Sequence, residues 1–191
     1  MHDTSVVENL NPNLKFKVLQ STGESVMDCY QCGKCTAGCP LNEDMDFAPN
    51  QILRMLQLGF PVFEDKILRS KAIWLCLTCE MCYTRCPKEV DFPLIMDYLR
   101  QESVRQDKVN PEVKHILAFH RTFLDSVKSF GRLYEMGLIG GYKLRTGKFM
   151  QDVAMAPDML FKGLLKMFPH TIENKDVVKR IFEKTSKNSE F

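Results

Sequence analysis

The sequence predicts a mainly α fold. Apolar residues recur at mixed spacings of three and four, with no alternating pattern of the kind a half-buried strand shows. Prolines and glycines stand where helices begin and end. One cysteine pattern also occurs twice, 47 residues apart, and each copy leads into a helical stretch. The 191 residues suffice for one domain with a good core, or for a small domain carrying a substantial extension. Hydrophobic residues at 45% and charged ones at 26% are ordinary for a soluble globular protein.

The elements follow in order. The opening MHDTSVVENLNPNLKF lacks the basic region and apolar stretch of a secretory signal, and no run approaches the roughly 18 apolar residues of a membrane span. The segment CYQCGKCTAGCP, residues 29 to 40, comes next. After Pro49, NQILRMLQLGF places Ile52, Leu53, Met55 and Leu56 on one helical face, and Gly59 and Pro61 stop it. A second short helix is expected over EDKILRSKAIWL, running directly into Cys76. After Pro93, LIMDYLRQESVRQD offers Ile95, Met96, Leu99 and Val104 as an inner face. Asn110 and Pro111 read as N-cap and first helical position of a helix striped by Ile116, Leu117, Phe119, His120, Phe123, Leu124 and Val127. Gly137, Gly140 and Gly141 are expected to break the chain before a helix near 142 to 154, and Pro157 to open another through about Met167. The last residues read as a short helix and a frayed polar end. The domain expectation is 1–109 for the cysteine-bearing unit and 110–191 for a helical extension.

All eight cysteines belong to the two copies of C-x2-C-x2-C-x3-C-P: Cys29, Cys32, Cys35 and Cys39 in the first, Cys76, Cys79, Cys82 and Cys86 in the second. A chain without an export signal is expected in the cytoplasm, where cysteines bind metal or do redox chemistry instead of pairing as disulfides. Three thiolates at successive steps of three on a tight loop can converge on one face of a cubic iron-sulfur cluster. The loop cannot also bring the fourth to the remaining iron. In two-cluster proteins built on this run, the displaced fourth cysteine ligates the other cluster. Two [4Fe-4S] clusters are therefore expected, one on Cys29, Cys32, Cys35 and Cys86, the other on Cys76, Cys79, Cys82 and Cys39. Pro40 and Pro87 turn the chain away after the exchanged ligand. Zinc is the alternative, but it usually takes two separated CxxC pairs, to which a third cysteine is surplus.

Eight cysteines fill two four-iron clusters, so no iron is left open for a substrate. The chain has no GxGxxG, no Walker loop and no HExxH. His115 and His120 lie within a helix and read as a surface residue and a core or interface residue. No catalytic residue is expected, and electron transfer remains. Lys34 and Arg85 should raise their cluster's potential and Glu80 should lower one; Trp74 and Leu77 read as core packing that also dries a cluster. Residues 1 to 99 carry 9 Lys/Arg against 13 Asp/Glu, and residues 100 to 191 carry 17 against 11. The basic half interleaves its charges with acids and has no phosphate-tracking run, so nucleic acid is not the expected partner.

The long helical insert and the helix after each Cys-Pro resemble the α-helical ferredoxin domain of the iron-sulfur subunits of succinate dehydrogenase and fumarate reductase, whose further [2Fe-2S] domain and third centre are missing here. CYQCGKCTAGCP and WLCLTCEMCYTRCPKEVDFPLIMDYLR resemble more closely the two motifs of the iron-sulfur C subunit of the methanogen heterodisulfide reductase, over about residues 13 to 105. The resemblance implies an α-helical ferredoxin-like domain with an α-helical C-terminal extension. It also implies that the chain carries electrons from a flavin-containing subunit to a catalytic one, whose CCG motifs reduce the disulfide of coenzyme M and coenzyme B. This sequence has no adjacent Cys-Cys pair and hence no CCG motif. The iron-sulfur subunits of glycerol 3-phosphate dehydrogenase and glycolate oxidase share the double motif, so a quinone-linked dehydrogenase subunit or a free-standing carrier are the alternatives. Between 111 and 168, Phe119, Phe123, Phe130, Met136, Phe149, Met150, Met155, Met159, Phe161, Met167 and Phe168 are more than one short helical layer buries, and part of this tail is expected to dock a catalytic subunit.

Overall fold

The computed structural model describes residues 13–150, 156–163 and 168–188. Among these every regular element is helical and none is a strand, as the periodicity predicts. The chain divides into two units, one running to Pro111 and the other from Glu112.

The first unit is built on a repeated loop and helix. After α1 (Leu14–Thr22), which ends at Gly23 in the left-handed region (φ 77°), a single 3-10 turn at Val26–Asp28 delivers the first cysteine loop. That loop closes in α2 (Lys34–Ala37) and leads to α3 (Pro49–Leu58). Two short helices follow, α4 (Pro61–Leu68) and α5 (Ala72–Leu75), and deliver the second loop, which closes in α6 (Met81–Thr84) and leads to α7 (Phe92–Arg105). The helix starts at Pro49 and Phe92 are 43 residues apart, whereas the cysteines are 47 apart. The connection in the second copy is thus shorter by one turn's worth of chain.

In the 43-residue register the two long helices bury the same face. Ile52, Leu53, Met55 and Leu56 of α3 correspond to Ile95, Met96, Tyr98 and Leu99 of α7, and all eight are buried. The face follows from spacings of three and four on a 3.6-residue period. Each start is capped differently. The Gln51 side chain accepts from the Ala48 N–H at 2.9 Å, and Asp91 accepts from the Leu94 N–H at 3.0 Å.

The expected inner face of α7 changes near its end. Val104 is only half-buried, and Glu102 and Ser103 are buried in its place. Ser103 Oγ donates to the Leu68 carbonyl at 2.7 Å, which joins α7 to the end of α4. The Glu102 carboxylate is met by Arg105 at 3.2 Å and Gln106 at 2.6 Å, so this buried charge is paired. The helix expected over residues 64 to 75 is two helices. Pro61 opens the first, and Asp46 starts the second by accepting the N–H groups of Lys71 and Ala72, each at 2.9 Å. Trp74 is buried as expected, but Leu77 is 64% exposed. A core position for Leu77 is ruled out because the chain after Cys76 leaves α5 for an exposed loop.

The second unit contains α8 (Lys114–Phe130), α9 (Glu135–Thr146), α10 (Ala156–Phe161) and α11 (Lys175–Asn188), with α9 and α11 both packed on α8. The glycines at 137, 140 and 141 lie inside α9 and do not break it. Gly141 is needed there because a Cβ would fall 2.7 Å from Thr122 Cγ2 on α8. Asn110 spends its side chain on the Arg69 carbonyl at 2.8 Å, and a 3-10 turn at Pro111–Val113 precedes α8. The buried residues of α8 are Thr122 and Ser126, whereas Phe119, Phe123 and Leu124 are exposed. His115 and His120 are both exposed. The expected positions near 154, Met155 and Met167 lie outside the described residues.

Leu99 is fully buried on α7 and Leu144 is 75% exposed on α9. Leu99→Ala should therefore cost about 2–5 kcal/mol and Leu144→Ala less than about 0.5 kcal/mol, as read from chemical denaturation of the two variants.

Candidate functional site

The two cysteine loops are copies in backbone as well as in sequence. In the first, Gln31 and Gly33 flank Cys32 with φ of 64° and 77°; in the second, Thr78 and Glu80 flank Cys79 with φ of 50° and 61°. Alternation of left- and right-handed residues turns successive N–H groups toward one concave side, a geometry suited to anions and to iron-sulfur sites. The Lys34 N–H reaches the Cys32 sulfur and the Thr78 N–H the Cys76 sulfur. Beyond the loops, the Val90 N–H donates to Cys86 Sγ at 3.4 Å and Gln31 Nε2 to Cys29 Sγ at 3.5 Å. Only glycine adopts this conformation without cost, yet Glu80 and not glycine stands at the second-loop equivalent of Gly33.

Each loop is held at its root by the helix that follows it. Gln57, the ninth residue of α3, donates Nε2 to the carbonyls of Val26 and Cys29 at 2.9 and 2.6 Å. Arg100, the ninth residue of α7, donates to the carbonyls of Ile73, at 2.5 Å, and Cys76. Val26 and Ile73 are 47 residues apart, as are Cys29 and Cys76, so the same two carbonyls are captured in both copies. Even the supporting residue is repeated. Arg54, sixth in α3, donates to Gln57 Oε1 at 3.3 Å, and Asp97, sixth in α7, accepts from Arg100 Nη1 at 2.6 Å.

The structure gathers the cysteines around two small cavities. One is lined by Cys29, Cys32, Cys35, Cys82 and Cys86, by Lys34 and Asn50, and by the apolar Leu53, Val90 and Phe92. The other is lined by Cys39, Cys76, Cys79 and Cys82 with Leu41, Met45, Leu77, Met81 and Phe92, and no charged side chain borders it. Cys39 and Cys86 thus each stand among the cysteines of the other motif. Phe92 lines both cavities, so it lies between them.

All eight cysteines are free thiols. Burial pushes Cys35, Cys76 and Cys82 up from the ordinary thiol value, Cys82 to about 12. At Cys76 the Thr78 N–H and the Arg100 charge work against burial, while the Cys39 thiol reinforces it. Cys32 moves the other way, because the Lys34 N–H, then the Tyr30 hydroxyl and the Lys34 charge favour its thiolate. Metal ligation requires the deprotonated sulfur, so a bound metal takes over the stabilisation that burial denies these thiolates. Among the described residues no three His, Cys, Asp or Glu side chains converge tightly enough to hold a single metal ion. The sulfurs surround volumes, an arrangement suited to the separated corners of a four-iron cluster.

The sequence reading named every cysteine lining these cavities. It missed Gln57, Arg100, Asp97 and Asp46, which carry no signal of their own. A comparison of the two copies in the 43-residue register of their helices would have exposed Gln57 and Arg100 as equivalents. Arg85, expected to act on a cluster, lies over Gly38, its own equivalent in the first motif: a Cβ at Gly38 would fall 2.7 Å from Arg85 Cδ.

Residues 25–90 match the family model of the 4Fe-4S dicluster domain. The matched stretch is about a third of the chain. It contains all eight cysteines, and the sulfur-lined apolar cavities fit the iron-sulfur clusters such a domain binds. The chain is similar to the C subunit of the H2:CoB-CoM heterodisulfide,ferredoxin reductase of Methanothermobacter thermautotrophicus, at 30% identity over 58% of each chain. It is similar also to an iron-sulfur C subunit, the second so named, of the CoB-CoM heterodisulfide reductase of Methanocaldococcus jannaschii, at 37% identity over 57% of this chain and 60% of that one. The C subunit of the ferredoxin:CoB-CoM heterodisulfide reductase of Methanosarcina mazei is 31% identical over 53% of this chain and 60% of its own. The matches to these relatives span about three fifths of their length. No helix among the described residues is long and apolar enough to cross a membrane.

Gly33 has nothing within 4 Å of where its Cβ would stand, so its glycine serves conformation alone. Gly33→Ala should destabilise by about 1–2 kcal/mol, and Glu80→Gly should stabilise by about 1 kcal/mol by removing the same left-handed penalty, as read from thermal melting under anaerobic conditions.

Proposed function

We propose that the chain is an electron-transfer subunit of a cytoplasmic heterodisulfide reductase complex. It relays electrons through two [4Fe-4S] clusters from a flavin-containing subunit to a CCG-motif catalytic subunit, which reduces the CoM-S-S-CoB disulfide in methanogenesis. One cluster takes Cys29, Cys32, Cys35 and Cys86, and the other takes Cys76, Cys79, Cys82 and Cys39. The observation that supports this reading is that Cys86 lines one cavity with Cys29, Cys32 and Cys35 while Cys39 lines the other with Cys76, Cys79 and Cys82, which borders both. The names of the relatives support the complex and its disulfide.

When bound, the clusters supply one-electron carriage. The chain's own residues do the rest. Eight thiolates would fill the external positions of two four-iron clusters, which would leave no iron open to a substrate. Phe92 lines both cavities beside their other apolar residues, and six of the eight cysteines are partly shielded from water. The exposed Phe119, Phe123 and Leu124 on α8 form an apolar face suited to a partner subunit.

Protein purified without oxygen should hold about eight irons per chain. Cys39→Ala should then lose the cluster of the second motif while keeping the other, as read by iron content and low-temperature electron paramagnetic resonance. Loss confined to the first-motif cluster would reject the exchange. The docking face makes a separate prediction. Phe123→Asp with Leu124→Asp should abolish co-purification with the flavin-containing and CCG-motif subunits at unchanged iron content.

A further inference from the structure

The two copies of the loop and helix differ most in charge at one equivalent position. Gln57 and Arg100 hold the same two carbonyls from the same place in their helices, but one is neutral and the other cationic. Arg100 bonds the carbonyl of Cys76 itself, and its side chain is only 17% exposed. A charge so placed is poorly screened. The reduced state of a cluster carries one more negative charge than the oxidised state, so a fixed cation beside it favours reduction.

Lys34 lines the first cavity and works the opposite way, whereas Arg100 stands behind the Cys76 carbonyl at the second. At the first site Lys34 and Arg54 are exposed, and at the second so is Glu80. Water and salt weaken all three. Asp97 pairs with Arg100 at 2.6 Å, but its side chain is 49% exposed, so water weakens its opposing charge more than that of the shielded Arg100.

On the two-cluster reading given above, we propose that Arg100 makes the cluster of Cys76, Cys79, Cys82 and Cys39 the stronger electron acceptor of the two. Electrons then pass from the first-motif cluster to the second. One electron moves from one cluster to the other, and no bond is made or broken. Arg100 is a positioning residue, since it acts through the Cys76 backbone and through its charge.

The test is a redox titration of the full chain monitored by electron paramagnetic resonance, with iron content measured on every sample. Cys39→Ser identifies the second-motif signal as the one it perturbs. That signal should have the higher midpoint potential. Arg100→Gln should lower it and leave the other in place, whereas Asp97→Asn, which frees the Arg100 charge, should raise it. A purely structural role would not produce opposite signs from the two variants. The proposal is overturned if the second-motif cluster has the lower potential, if Arg100→Gln leaves its potential unmoved, or if both variants shift it the same way. Should Arg100→Gln lose its iron, Asp97→Asn decides, because its exposed side chain bears little of the fold. Wild-type protein with fewer irons than two clusters need would reject the two-cluster reading; full iron with unmoved potentials would reject this inference alone.

Discussion

Cys39 lines the cavity of the second motif and Cys86 that of the first, so each cavity forms only where two stretches 47 residues apart have met. The rest of the first unit serves that meeting. α2 and α6 are each a single turn and pack against one another, which brings the two displaced cysteines across. The longer α3 and α7 bury matching faces behind them. A site completed only in the folded chain ties metal binding to folding, because the unfolded chain offers three neighbouring thiols and not the fourth.

The duplicated unit keeps its mechanics and varies its charge. Both copies carry the alternating backbone around the second cysteine, the clamp from the ninth helical residue and a supporting residue one turn earlier. The hydrogen bonds do not require the clamp to be charged, since Gln57 makes them with an amide. What the change to arginine adds is a nearby cation. Two sites with nearly the same sulfurs and the same fold can thereby differ in the stability of their reduced states.

Much of the first unit was legible in the sequence because its signals are local. The cysteine spacing states which three thiols share a loop, and Pro49 with Ile52, Leu53, Met55 and Leu56 states a helix and its inner face. The clamps were not legible, since a glutamine or arginine on a helix reads as solvent-facing until its carbonyl partner, 24 to 31 residues away, is known. The break at residues 69 to 71 depends on Asp46, whose carboxylate is distant in sequence. In the second unit the glycines of α9 suggested a break, whereas Gly141 serves close approach to Thr122, which local patterning does not encode. The aromatic stripe of α8 was visible, but its exposure was not: small Thr122 and Ser126 are buried instead, and the phenylalanines are left outward.

The central claim is that the two motifs exchange their fourth ligands. The most direct measurement is an anomalous difference map at the iron edge from crystals of anaerobically prepared protein. The account predicts two separate groups of four irons, one bonded to Cys29, Cys32, Cys35 and Cys86, the other to Cys76, Cys79, Cys82 and Cys39. Iron groups bonded to Cys39 on the first motif and Cys86 on the second, or isolated single ions in their place, would contradict it.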